Sequence, residues 1–196
     1  MAFVTRNMWL LIALAVLVIF VVNGVNTIPT LDEKVNASWA QVQNQYQRRM
    51  DLIPNLVETV KGYANFEKST LTDVINARAS ATKITLSPEM LSDPDAVKKF
   101  EQAQGTLTSA LSRLMAVSER YPDLKANQQF LALQSQLEGT ENRIAIARQD
   151  YIDTVLNYNT VVRTFPGRIW AMIYGAKPKQ PFTATEGADK PPAVKF

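Results

Sequence analysis

Five side chains have the types and spacing to do chemistry in a helical chain: Arg49, Asp51, Asn55, Glu141 and Arg148. Arg49 falls on an apolar stripe that runs Val35, Trp39, Val42, Tyr46, Arg49, Ile53, Leu56, Val60, Tyr63. Glu141 and Arg148 fall on a second stripe, Phe130, Gln134, Leu137, Glu141, Ile144, Arg148, Tyr151, Val155, Tyr158, Val162, Phe165. The steps alternate four and three, the period of a heptad seam facing a partner helix. A charge on such a face is costly unless it is paired. Arg49 or Arg148 is therefore expected to pair with Glu141 across the bundle, with Asp51, Asn55 and Gln134 as polar neighbours. A buried polar cluster of this kind fixes helix register. The chemical alternative is a small polar pocket for a ligand, but no nucleophile stands beside it.

Composition removes most other chemistry. Cys and His are both absent, which excludes thiol and imidazole nucleophiles, disulfides and Cys/His zinc centres, and disfavours the Glu-x-x-His pairs of di-iron bundles. Glu58, Glu67, Asp73, Glu101 and Glu119 are scattered as on solvated faces, and nothing focuses a pair of them for acid–base work. A net charge of +3 without a basic stripe gives no nucleic-acid partner. No cofactor, metal site or catalytic residue is expected, and the chain is not expected to be an enzyme.

The elements that must carry these residues read as helices throughout, since the 196 residues include only seven Gly and no alternating β-branched runs. Met8–Val22, MWLLIALAVLVIFVV, is fifteen residues without a charge or a breaker. It covers roughly 22 Å, short of a ~30 Å hydrocarbon layer, with Asn23, Gly24 and Val25 able to extend it. Trp9 suits an interface. The competing reading is a cleaved signal peptide, hence a secreted helical protein. No Ala-x-Ala site follows Val22, which favours an anchor. Arg6 before the span, against Asp32, Glu33 and Lys34 after it, favours a cytoplasmic N-terminus and an outward-facing domain.

Pro29-Thr30-Leu31-Asp32 reads as a helix start with Thr30 as N-cap. The stripe keeps its phase across Pro54, so the first reading is one helix kinked there, from Leu31 to Ala79. The second is a break, with Asp51 capping a new helix. Its continuation is read as Leu71, Val74, Ile75 and Ala79, followed by a loop from Ser80-Ala81-Thr82 to Ser87-Pro88-Glu89. Asp93-Pro94 starts a helix with the stripe Val97, Phe100, Gln104, Leu107, Leu111, Leu114, Ser118, Tyr121. Asn127 caps the last long helix, which Phe165-Pro166-Gly167 ends. RIWAMIY (168–174) is then either docked on the bundle or an interfacial segment, docking being favoured. The tail is expected to be mobile, with Lys177, Lys179, Lys190 and Lys195 available to anionic lipid.

With QYQRRMDLIPNLVETVKGYANFEKSTLTDVINAR, YPDLKANQQFLALQSQLEGTENRIAIARQDYI, and Tyr158-Asn159 followed by Phe165-Pro166 in order, the chain resembles the LemA family of bacterial membrane proteins. The resemblance implies an N-terminal membrane helix carrying an antiparallel helical bundle, and no known reaction. The chain has Phe66 where the family usually has His, and Tyr151-Ile152 where it usually has Tyr-Asn.

The expected fold is all-α: a single N-terminal transmembrane helix followed by an elongated antiparallel bundle of three to four long helices. Residues 1–28 form the cytoplasmic tip and anchor, 29–175 the bundle and 176–196 a Pro-rich tail. The expected function is a scaffold or adaptor in the bacterial inner membrane, touching lipid through residues 8–22 (Met8, Trp9 and Val22 included). Its expected partners are a second copy or other membrane proteins. A helix from Leu31 to Ala79 would outrun its neighbour and leave Trp39, Val42 and Tyr46 as an uncovered seam, which favours self-association. The alternative is an accessory subunit of a membrane-associated enzyme such as a protease.

Overall fold

The computed structural model describes residues 2–62 and 67–183. Among these, six helices and no strand are present: α1 (Ala2–Lys61), α2 (Lys68–Lys83), α3 (Pro94–Ser118), α4 (Pro122–Lys125), α5 (Gln128–Arg163) and α6 (Gly167–Tyr174), with a 3-10 turn at Pro88–Ser92. Tyr63 and Phe66 fall outside the described residues.

α1 is one helix of 60 residues, about 90 Å long, and both Pro29 and Pro54 lie inside it. The expected start at Thr30 and the alternative break at Pro54 are therefore not seen. A proline takes away the N–H that would bond the carbonyl four residues earlier, so each leaves one orphan acceptor. Side chains from neighbouring helices fill both. Arg78 Nε donates to Met50 O at 3.0 Å, and the Tyr174 hydroxyl donates to Val25 O at 3.0 Å. α1 continues because its two missing bonds are replaced from outside.

The first bundle helix ends at Lys61 and does not run on to Ala79. Gly62 follows it, a residue that readily leaves helical geometry. α2 then folds back along α1, which brings Arg78 beside Met50. α2 buries Leu71, Val74, Ala77 and Ala81, whereas Ile75 and Ala79 are exposed. It also runs through Ser80-Ala81-Thr82, so that stretch is helix and not loop. α3 returns antiparallel to α2, capped by Asp93 Oδ1 accepting from Asp95 N and Ala96 N, with Pro94 at its first position. Asn127 Oδ1 caps α5 by accepting from Phe130 N at 3.0 Å. α5 lies along most of the bundle part of α1.

The buried residues form two clusters. The proximal one, next to the apolar run of α1, holds Trp39, Tyr46, Phe100, Tyr151, Tyr158 and Phe182 among its members. The distal one is built from Leu, Val and Ala of α1, α2, α3 and α5, with Met50, Ile53 and Phe130. Trp39, Val42 and Tyr46 are buried in the proximal cluster. The uncovered seam expected from an overhanging first helix does not exist, because α5, the start of α3 and residues 84–91 and 176–183 cover it.

Candidate functional site

Arg49 is 1% exposed and sits between the two apolar clusters. One guanidinium nitrogen donates to Glu141 Oε1 and to Thr108 Oγ1, each at 2.9 Å, and the other donates to Gln104 Oε1. The guanidinium carbon lies 5.1 Å from the centre of the Tyr46 ring, and Nε finds no partner among the described residues. The pairing of Arg49 with Glu141 foreseen from their stripes is present. Arg148 does not share it: it bonds Glu101 Oε1 at 3.3 Å and stacks over the Phe182 ring at 4.4 Å. Asp51 and Asn55 are exposed, and Asp51 accepts from Gln47. At about 100° per residue they lie roughly 200° and 240° round α1 from Arg49, so neither can enter its layer. Gln134 bonds Glu138 on the surface and stays out of the layer as well.

Two members of this polar system escape a reading by type and stripe. Thr108 lies one position off the α3 stripe, and Glu101, grouped in the sequence with solvated carboxylates, is mostly buried. It holds both Arg148 and the backbone and hydroxyl of Thr183. The other scattered carboxylates do sit in exposed pairs, Glu58–Lys61, Asp73–Arg113, Glu67–Arg120 and Glu119–Lys125.

Residues 176–183 form a strap along the proximal half, against the expectation of a mobile tail; residues 184–196, with Lys190 and Lys195, lie outside the described residues. Lys179, grouped in the sequence with lipid-facing lysines, is 6% exposed. Its ammonium pairs with Asp32 at 2.7 Å and donates to Asn36 Oδ1 at 3.1 Å. Asn159 clamps the strap backbone from both sides: Lys179 N donates to Asn159 Oδ1 at 2.8 Å, and Asn159 Nδ2 donates to Lys179 O at 2.7 Å. Gln180 N donates to Leu91 O, and the Tyr151 hydroxyl donates to Gln180 O. Phe182 then enters the ring cluster, 5.2 Å from Tyr151 and 5.9 Å from Trp39. Burial pushes the Tyr151 phenol well up. It also raises Tyr158, with help from Asp32, and Tyr46, against the pull of Arg148 and Arg49.

Two open grooves lie in the described surface. One groove of about 450 Å³ beside the strap is lined by Asp32, Glu89 and Asp93 with Lys179. Its carboxylates do not converge: Asp32 holds Lys179, Asp93 caps α3, and Glu89 is held below its ordinary range by a bond from Ser87. A second groove of about 400 Å³ lies between α2 and α3. Among the described residues no three acidic side chains come together as a metal would need.

Beyond the proximal half, every residue of Met8–Val22 is exposed, and α1 is the one described helix long and apolar enough to cross a membrane. α6 lies against the end of this run. The Trp170 ring is 6.0 Å from that of Phe20 and fills the space beside Gly24, where an added Cβ would stand 2.0 Å from Trp170 Nε1.

Comparison with known proteins supplies a family for this architecture. The chain is 28% identical over 182 residues to the magnetosome protein MamQ 2 of Paramagnetospirillum magneticum, covering 85% of this chain and 67% of that one. It is 27% identical over 182 residues to the magnetosome protein MamQ of Magnetospirillum gryphiswaldense, with the same coverage. It is 25% identical over 139 residues to the protein LemA of Metamycoplasma hominis, covering 71% of this chain and 56% of that one. None of these names denotes an enzyme. The LemA family profile matches residues 38–196, most of the chain and all of the bundle beyond the first turns after the apolar run, and the protein belongs to the LemA family.

Proposed function

We propose that the chain is a membrane-anchored helical scaffold, which holds protein partners at a bacterial inner membrane and performs no reaction of its own. The observation that carries this reading is the two-part character of α1. Its first part, Met8–Val22, is bare and apolar, and its second part is the central helix of a filled bundle. A solvent-exposed apolar run of that size is unfavourable in water and favourable in lipid. One uninterrupted helix passes from one part to the other, so the bundle stands on the span without a flexible linker. Arg6 before the span favours a cytoplasmic N-terminus and an outward bundle.

The interior supports binding over catalysis. It is packed with apolar side chains and crossed by one polar layer, in which Arg49 is bonded to Glu141, Thr108 and Gln104, and the two grooves described are open. The relatives named for the magnetosome carry the name of a cellular structure and not of a reaction. The partners are other membrane proteins or a second copy meeting the outer helix faces. The seam that the sequence offered for self-association is covered, so it does not contribute. The groove with Asp32, Glu89 and Asp93 is what an accessory subunit of a membrane-associated enzyme would offer, but its carboxylates are already committed.

Crosslinking in native membranes followed by mass spectrometry tests the scaffold. The expected result is crosslinked species containing this chain and other proteins or copies, with Met1–Val22 intact in the membrane fraction. Recovery of uncrosslinked monomers alone would overturn the scaffold, and release of a chain lacking Met1–Val22 would overturn the anchor.

A further inference from the structure

We infer that α6 is a second membrane contact, a short helix seated in the headgroup–acyl boundary beside the span, with Phe165, Ile169, Met172 and Ile173 turned to lipid. This rests on reading Met8–Val22 as the anchor.

α6 is fixed to α1 at one level by features of both helices. Gly24 leaves the space that the Trp170 ring occupies. Pro29 frees the carbonyl of Val25, which accepts from the Tyr174 hydroxyl. Phe20, Gly24 and Val25 span about 8 Å of helix rise at the end of the apolar run. That depth is where amphipathic helices bury one face, about 5–10 Å into the boundary, and where Trp and Tyr are favoured.

Among the described residues nothing covers the opposite face. Around α6, Gly167, Ala171 and the Trp170 side turn to α1 and α5. Met172 is 74% exposed and Ile173 67%, with Ile169 and the preceding Phe165 exposed beside them. Four large apolar side chains exposed together at one end of a bundle need a partner, and here they are continuous with the apolar face of the span. Charge points to the same partner. Residues 2–31 and 154–178 contain no Asp or Glu at all, yet carry Arg6, Arg163, Arg168 and Lys177. Arg163, Arg168 and Lys177 are exposed around α6, where their heads reach anionic headgroups while their stems lie on apolar surface. The span also needs the help: its fifteen apolar residues fall short of the hydrocarbon thickness, and α6 broadens the apolar belt at the short end.

The chain has no cysteine, so single spin labels can be placed cleanly in the full protein in phosphatidylcholine vesicles with and without phosphatidylglycerol. The variants are Leu17→Cys in the span, Met172→Cys on α6 and Ile146→Cys on the exposed face of α5. Accessibility to oxygen, which concentrates in the bilayer, is compared with accessibility to a water-soluble nickel chelate. The expected oxygen-to-nickel ratio at 172 approaches that at 17 and stands severalfold above that at 146. Adding Gly24→Val, which displaces Trp170, is expected to lower the ratio at 172 toward that at 146 and leave 17 unchanged. A ratio at 172 equal to that at 146, with 17 in lipid, overturns the α6 seat and leaves the anchor standing. A label at 172 shielded from both reagents means that protein covers this face, which also overturns it, as does indifference to Gly24→Val. A ratio at 17 equal to that at 146 overturns the anchor and α6 with it.

Discussion

The two halves of the bundle solve the same packing problem with different materials. In the distal half, α1, α2, α3 and α5 surround the core, and Leu, Val and Ala on their stripes fill it. α2 reaches back only as far as Met50, so the proximal half has two long helices, the start of α3, the short α6 and residues 84–91, and no fourth long helix. Two helices cannot enclose a core. Large rings take up the space instead: Trp39 packs against Phe100 at 5.4 Å and Tyr151 at 5.5 Å, and Tyr46 against Phe100 at 5.2 Å. An extended strap closes the remaining side. The Arg49 layer marks the level at which the number of enclosing helices changes. A regular lattice of helices is filled by small aliphatic residues, whereas an irregular enclosure relies on a few large anchors and on backbone hydrogen bonds.

The largest expected effects come from removing one anchor in each half. Trp39→Ala should cost about 3–5 kcal/mol and Leu114→Ala about 2–5 kcal/mol, as usual for fully buried side chains. Urea unfolding of the full chain in detergent, followed by near-ultraviolet and far-ultraviolet circular dichroism, reads both. Because α1 and α5 run through both halves, the two signals are expected to shift together in either variant. Loss of the near-ultraviolet transition alone in Trp39→Ala would show that the halves fold separately.

The polar layer between the halves gives the next effect. Glu141→Gln should cost about 1.5–3 kcal/mol, the range for a bond to a charged group. The Glu141 side chain is 39% exposed, so the cost stays below the 3–5 kcal/mol of breaking a fully buried pair. A double-mutant cycle is expected to find coupling between Arg49 and Glu141 and none between Arg148 and Glu141, whose partner in the fold is Glu101. Coupling of Arg148 to Glu141 instead would contradict the layer as described.

Alkaline pH should weaken the fold through groups of the proximal half. Tyr46, Tyr151 and Tyr158 all lie there, and burial raises all three. Their raised values mean that the unfolded chain ionises first, from about pH 10. The stability is therefore complete below pH 10 and lost as pH climbs from there toward the folded values, at up to about 1.4 kcal/mol per pH unit for each tyrosine. Stability measured in urea between pH 8 and 11 (roughly the window these values define) should fall above 10. Tyr151→Phe, although it gives up the bond to Gln180, should flatten that fall; an unchanged slope would remove Tyr151 from the account.

What could be read from the chain follows the same division. Heptad stripes placed Val35 to Val60, Val97 to Ser118 and Ile144 to Val162 on buried faces, and Asp93 and Asn127 announced their helices by cap chemistry. The strap was not legible because an extended segment of eight residues has no period, and Lys179 and Phe182 look like any lysine and phenylalanine in a Pro-rich tail. Asn159 stands out in the sequence only through the Tyr-Asn pair of the family resemblance, yet it is the residue that clamps the strap. The break after Lys61 had one signal, Gly62, and phase continuity beyond it hid the turn. Pro29 reads as a helix start yet lies inside α1, because the bond that the proline removes is replaced by Tyr174, which is far away in sequence.

Such a replacement can be tested at the other proline, with the smallest expected effect. Arg78 donates to the carbonyl that Pro54 leaves free at Met50, and this joins α2 to α1 just below the Arg49 layer. Arg78→Ala in the natural chain should cost about 1 kcal/mol, the usual net value of a hydrogen bond. In a Pro54→Ala background the N–H at position 54 can take the Met50 carbonyl, so Arg78 has nothing to complete and the same substitution should cost little. The difference between the two costs is the coupling of Arg78 to the missing N–H, isolated from any packing that its side chain provides. Equal costs in both backgrounds would mean that Arg78 acts by packing alone and that α1 crosses Pro54 without its help.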